Sequence, residues 1–129
     1  MSVVGVGVDL VRIDRIRSIL DGPAGDRFVA SVFTDDEVDA ARRDGDPAVA
    51  FATRFAIKEA VFKCFQVSFA PGDQLRDIEA RETAGGAPYV VLSRRFDTLL
   101  AERGAAAPSV SVSFEDEYVV AVAVLARAC

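Results

Sequence analysis

At 129 residues, with 51% hydrophobic side chains, the chain has the length of a single domain, residues 1–129, and the apolar content for its core. A net charge of −5 argues against a general nucleic-acid binder, and no apolar run approaches the ~18 residues of a membrane span. The absence of histidine removes His-based triads, imidazole bases and nearly all His-ligated zinc sites, so any proton chemistry must rest on carboxylate, lysine or metal-bound water.

The first predicted element is a strand, SVVGVGVDLV, with Val4, Val6 and Val8 on one face and Gly5, Gly7 and Asp9 on the other. It lacks the basic start of a signal peptide, and Asp9 interrupts what would be its apolar core. Glycine weakens a strand, so two on one face predict that another backbone or a ligand comes close there. The run is not a dinucleotide fingerprint, because Leu10 stands where the third glycine of GxGxxG would open a helix.

A short helix is expected over Asp14–Leu20, ending near Asp21, Gly22 and Pro23. Arg12, Arg15 and Arg17, diluted by Asp14, make it locally basic. Such arginines are ordinarily a solvated face, and they can also select an acidic partner. Thr34, followed three residues later by Glu37, is a capping box that opens the next helix and gives Glu37 a sufficient structural role.

After a loop through Gly45, Asp46 and Pro47 comes the central helix, FATRFAIKEAVFKCF, Phe51 to Phe65. Projected at about 100° per residue, Phe51, Phe55, Phe62 and Phe65 form one stripe, and Ile57, Val61 and Cys64 another. Ala52, Ala56, Glu59 and Lys63 share a narrow arc, a floor of small residues carrying an acid and a base, while Arg54 and Lys58 lie toward the remaining edge. Glu59 and Lys63 read as a helix-stabilising pair worth a few tenths of a kcal/mol, or as part of a site. If the glycine face of the first strand packs on this floor, Asp9 arrives beside Glu59, and two carboxylates with a lysine nearby suit Mg²⁺. Otherwise Asp9 simply ends its strand. Two cysteines, Cys64 in the apolar helix and Cys129, suggest no disulfide framework and a cytoplasmic location.

Pro71 and Gly72 precede a weakly marked strand, LRDIEAR. The turn ETAGGAP leads into the strand YVVLS, Ser93 is expected to cap the helix RRFDTLLAER, and Gly104 to end it. Two last strands, SVSVSF and YVVAVAVLA, are joined as a hairpin through the acidic turn Glu115, Asp116 and Glu117. The order implies an α+β domain, an antiparallel sheet packed on the central buried helix.

Taken together, GVGVDLVRIDRI, FTDDE and RFAIKEAVFK, followed by a DIE strand, a G-x-P turn and an SVS strand, resemble the holo-acyl-carrier-protein synthase family of 4′-phosphopantetheinyl transferases nearly end to end. The resemblance implies transfer of the phosphopantetheine arm of coenzyme A to a serine of an apo carrier protein, releasing adenosine 3′,5′-bisphosphate. It implies small α+β subunits assembled as homotrimers, with the nucleotide in clefts between neighbours, and no nucleic-acid or membrane partner. In that pattern Asp9 and Glu59 match the Mg²⁺ ligands, and Lys63 matches the lysine beside the pyrophosphate. Arg54, Lys58, Pro88 of the G-x-P turn and Ser113 of the SVS strand match coenzyme-side positions, and Arg15 matches a basic position that docks the acidic carrier. The serine proton would go to Glu59 or to a metal-bound water.

Three departures fall on the nucleotide side. Phe114 replaces the usual histidine after the SVS strand, Gln66, Val67 and Ser68 replace a glycine-rich turn, and Ala87 stands where the G-x-P turn normally carries lysine. They imply coenzyme binding that is weaker or differently arranged. The runner-up is therefore a catalytically weak relative that binds coenzyme A or a carrier protein without transfer.

Overall fold

Helix α4 (Pro47–Cys64) is the element on which the others assemble. Proline at its first turn presets the backbone for helix and forfeits only an N–H that would be unpaired anyway, so α4 starts four residues before the expected Phe51. A computed structural model describes residues 2–129. Ahead of α4 come β1 (Val3–Arg12), α1 (Ile13–Asp21), α2 (Gly25–Val32) and α3 (Asp35–Arg42). After it come β2 (Ile78–Glu82), β3 (Pro88–Leu92), α5 (Arg94–Glu102), β4 (Ser109–Glu115) and β5 (Tyr118–Ala126). Among the described residues no helix is long and apolar enough to cross a membrane.

The sheet that covers α4 is antiparallel, in the order β1-β5-β4, and β2 with β3 forms a separate hairpin. Alternation puts Val119, Ala121, Ala123 and Leu125 of β5 inward, all fully buried. On β1 the inward side carries Gly5, Gly7, Asp9 and Val11. A Cβ on Gly5 would lie 1.8 Å from the carbonyl oxygen of Cys64, and one on Gly7 would lie 1.9 Å from that of Ala60. Strand backbone therefore rests directly on helix backbone, as the two glycines predict. The contact is made at Ala60 and Cys64 rather than at the expected floor of Ala52 and Ala56.

The phenylalanine stripe divides between two neighbours. Phe51 and Phe55 meet Phe33 and Phe28 around α2, and Phe62 and Phe65 meet Phe96 of α5. These residues belong to one continuous hydrophobic cluster. Cys64 is buried within it as a free thiol, pushed up to about 11 by burial.

Several local expectations are corrected. Helix α2 has no sequence signal: it follows Gly22 and Pro23, starts on a glycine and lacks a side-chain cap. Leu75–Asp77 is a single 3₁₀ turn, so β2 begins only at Ile78. Ser93 does not cap α5; its hydroxyl lies 3.4 Å from the Asp77 carbonyl and carboxylate. Gly104 does end that helix, at φ +58°.

The other face of the sheet is apolar and open. Val6, Val8 and Leu10 of β1 are 56%, 54% and 65% exposed, beside Val122 of β5. Ser109, Ser111 and Ser113 continue that face on β4, where they pair with Val124, Val122 and Val120.

Candidate active site

The close crossing of β1 over α4 decides which side chains meet. Gly5 and Gly7 seat the strand on the last turns of the helix, and Asp9, next on the same face, comes within reach of Lys63. The Lys63 ammonium donates to Asp9 Oδ1 at 2.9 Å and to the Val8 carbonyl at 3.2 Å. Glu59, one turn before Lys63, has no ion pair or side-chain hydrogen bond among the described residues. Burial raises its pKa, the negative charge of Asp9 raises it further, and Lys63 and Arg15 oppose this. Two carboxylates thus sense each other across a site with one hydrogen-bonded cation.

Such a pair fits a hard divalent ion, because Mg²⁺ is commonly held by one or two carboxylates and completes its shell with water and substrate phosphates. Among the described residues no group of three or more acidic, histidine or cysteine side chains is placed to hold a metal ion. Asp9 and Glu59 would therefore be the protein's share of the ligands, leaving positions for phosphate oxygens.

Lys58 is corrected most. Expected beside a coenzyme, it is fully buried, with its ammonium 2.6 Å from Glu37 Oε1 and 2.7 Å from the Ile78 carbonyl. Glu37 also accepts from the backbone N–H groups of Thr34 and Ala80, so the capping box of α3 is the anchor of an ion pair joining α3, α4 and β2. Burial lowers the Lys58 pKa, and Glu37 opposes that shift. Lys58→Met leaves Glu37 buried without its cation and is expected to cost ~3–5 kcal/mol. Adding Glu37→Gln to that variant should restore part of the loss, since a neutral amide is cheaper to bury than an unpaired carboxylate. Urea denaturation of the two variants measures both effects, and equal stability of Lys58→Met and wild type would refute the anchoring role.

Arg54 lies on a different flank of α4 from Glu59, five positions away and so roughly 140° around the axis. Its Nη1 donates to the Ala50 carbonyl at 3.1 Å, and its buried Nε has no partner among the described residues. It borders a cavity of about 360 Å³ with Glu79, Arg81 and Tyr89. A smaller cavity shares Arg54 and is closed by Thr53, Ile57, Gly86, Pro88 and Val112. Arg54 and Pro88 are brought together here, and they are not brought to Asp9. No motif singled out Arg81 and Tyr89, which meet across the β2–β3 hairpin.

Ser113 faces away from this cavity. It neighbours Val112 on β4 and therefore projects from the open face of the sheet, while Phe114, 50% exposed, shares the side of Val112. Arg12, at the end of β1, donates to the Tyr118 hydroxyl, and Arg17 of α1 pairs with Asp46. Arg15 is the exposed member of the three without an ion pair or side-chain hydrogen bond among the described residues.

The chain is similar to known proteins over most of its length. A holo-[acyl-carrier-protein] synthase from Leptospira biflexa is 40% identical over 119 residues, 92% of this chain and 93% of the relative. One from Myxococcus xanthus is 43% identical over 93 residues, 72% of this chain and 71% of the relative. The crystal structure of the Neisseria meningitidis synthase superposes with a TM-score of 0.87 at 28% identity, covering 98% of this chain and all of that one. The Bacillus anthracis synthase, solved in complex with CoA (3′,5′-ADP), gives 0.77 at 26% identity, covering 98% of each chain. The sequence pattern of one family runs through residues 5–123, from the glycines that seat β1 to the inward row of β5, and the chain belongs to that family, the 4′-phosphopantetheinyl transferase superfamily.

Proposed function

We propose that this protein is a holo-[acyl-carrier-protein] synthase, which transfers the 4′-phosphopantetheine arm of coenzyme A to a serine of an apo carrier protein. The observation that carries the reading is the delivery of Asp9, by the glycine-seated strand, to Lys63 and Glu59. Phosphoryl transfer asks a protein mainly for positioning and charge neutralisation, and this cluster supplies both. Asp9 and Glu59 would hold Mg²⁺, whose charge supplies the neutralisation a pyrophosphate needs. The serine oxygen attacks the phosphorus that carries the pantetheine, and the bond from that phosphorus to the bridging oxygen breaks. The electron pair leaves with adenosine 3′,5′-bisphosphate, where Lys63 meets the growing charge. Glu59, whose side chain has no hydrogen-bond partner of its own among the described residues, takes the serine proton.

Two features support assembly of copies, for which the family resemblance implies a homotrimer. The open face of β1 and β5 is the kind of apolar surface that a subunit interface covers. The acid cluster and the Arg54–Pro88 cavity lie on different flanks of α4, so a coenzyme reaching both kinds of group needs a cleft between neighbouring copies, in which Ser113 on the open face can take part. Arg15, which has no ion pair among the described residues, is a cation of α1 suited to an acidic carrier. Lys58 belongs to the fold rather than to the coenzyme. The single hydrophobic cluster supports one domain over residues 1–129, and the two free cysteines suit the cytoplasm.

The test incubates the protein with coenzyme A, Mg²⁺ and several apo carrier proteins and weighs each carrier intact. A gain of one phosphopantetheine unit establishes the transfer and names the carrier. No gain, where an active synthase modifies the same carriers, overturns it in favour of a binding-only relative. The half-exposed ring of Phe114 on the cavity side of β4 is the observation that keeps this second reading in view. Phe114→His restores a polar group there and is expected to tighten coenzyme A binding about threefold to tenfold, one phosphate contact's worth. Calorimetry that finds no tightening would show that this position does not limit affinity.

A further inference from the structure

We propose that Lys63 occupies the place of the divalent cation on Asp9 in the metal-free enzyme, and that metal binding hands its ammonium over to the phosphates of the coenzyme. The inference rests on the transferase reading above and adds an order of events to it.

The Asp9 side chain is only 15% exposed, so its carboxylate is largely withdrawn from water and requires a cation. Lys63 supplies one through Oδ1, an oxygen of the carboxylate that a metal would need. An ammonium at hydrogen-bond distance and a dication on the same group repel each other, so one must give way. Lys63 is the one able to move: its side chain is 49% exposed and ends a flexible stem, in contrast to the sealed Lys58. Its second contact, to the Val8 carbonyl, does not involve the carboxylate, so the ammonium can pivot there when Asp9 is taken.

Charge counting gives the direction of the exchange. Asp9 and Glu59 with Lys63 sum to one net negative charge when Glu59 is ionised. A divalent ion neutralises the two acids and leaves the lysine's positive charge for an incoming pyrophosphate. Metal alone must break the Asp9–Lys63 pair, whereas metal with coenzyme gives Lys63 a new anion. Lys63 therefore contributes to a positive coupling between the two ligands.

The chain contains only two lysines, and Lys58 is inaccessible, so amine-selective labelling followed by peptide mass spectrometry reads Lys63 separately from the N-terminal amine. With wild-type protein at constant ionic strength, saturating Mg²⁺ should speed labelling of Lys63 severalfold, and Mg²⁺ with coenzyme A should slow it below the metal-free rate. In calorimetry without coenzyme, Lys63→Met should bind Mg²⁺ about fivefold more tightly than wild type, the scale of a part-exposed ion pair. Arg15→Gln, which removes a nearby charge that does not touch Asp9, should change Mg²⁺ affinity less than twofold. Labelling indifferent to bound Mg²⁺, or a gain in Lys63→Met no larger than in Arg15→Gln, overturns the exchange while leaving the transferase reading standing. Failure of wild type to bind Mg²⁺ and coenzyme A at all overturns the transferase reading itself.

Discussion

Asp9→Ala and Glu59→Ala are each expected to lower carrier modification by at least about 10³-fold, the scale of removing a group that stabilises charge in the transition state. Neither should unfold the protein. Asp9 is on an edge strand, and its loss leaves Lys63 half-exposed to water and still on the Val8 carbonyl. The Glu59 side chain makes no hydrogen bond or ion pair among the described residues, so its removal orphans no partner. The two variants separate by their response to metal. Asp9→Ala retains the candidate base and should recover part of its rate as Mg²⁺ is raised, whereas Glu59→Ala lacks both a ligand and the base and should not. Intact-mass assays across a Mg²⁺ series, with circular dichroism as the folding control, make the comparison. Either variant working at a tenth of the wild-type rate would remove that carboxylate from the chemistry.

Gly7→Ala is expected to cost ~3 kcal/mol or more, at the upper end for a small-to-large change, because the obstacle is backbone that cannot rotate aside. The added methyl would stand 1.9 Å from the Ala60 carbonyl oxygen, so β1 and α4 must separate. That separation also carries Asp9, two residues further on, away from Glu59, so activity should fall along with stability. Gly45→Ala is the matched control: nothing lies within 4 Å of its Cβ, and it should change stability by no more than about 0.5 kcal/mol. Urea denaturation of the two variants reads the difference. A Gly7→Ala protein as stable as Gly45→Ala would mean that the strand does not rest on the helix.

How much of this was readable from the chain depended on the range of the interaction. The capping box of Thr34 and Glu37 spans three residues and was legible in full. The parity of Gly5, Gly7 and Asp9 was legible too, because alternation in a strand is fixed whatever packs against it. Which stripe of α4 would receive that strand was not, since alanines occur on more than one side of the helix. Lys58 was misplaced for the same reason: its partners are Glu37 and the Ile78 carbonyl, twenty or more residues away, and no helical projection contains them. The departure of Ser113 from the cavity was available in Ser111, Val112 and Ser113, whose alternation already sets serine and valine on opposite faces. Helix α2 could not be read at all, because eight residues without a cap offer too short a period to count.

The open apolar face of the sheet has a consequence for how this sequence can drift. Val6, Val8 and Leu10 look, on one copy, like positions free to vary. If copies close over them, they are constrained as tightly as interior residues, and a charge introduced there would silence the enzyme without touching a reacting atom. Inactivating substitutions in such a protein would then fall into two classes, those that spoil the chemistry and those that spoil the company each subunit keeps.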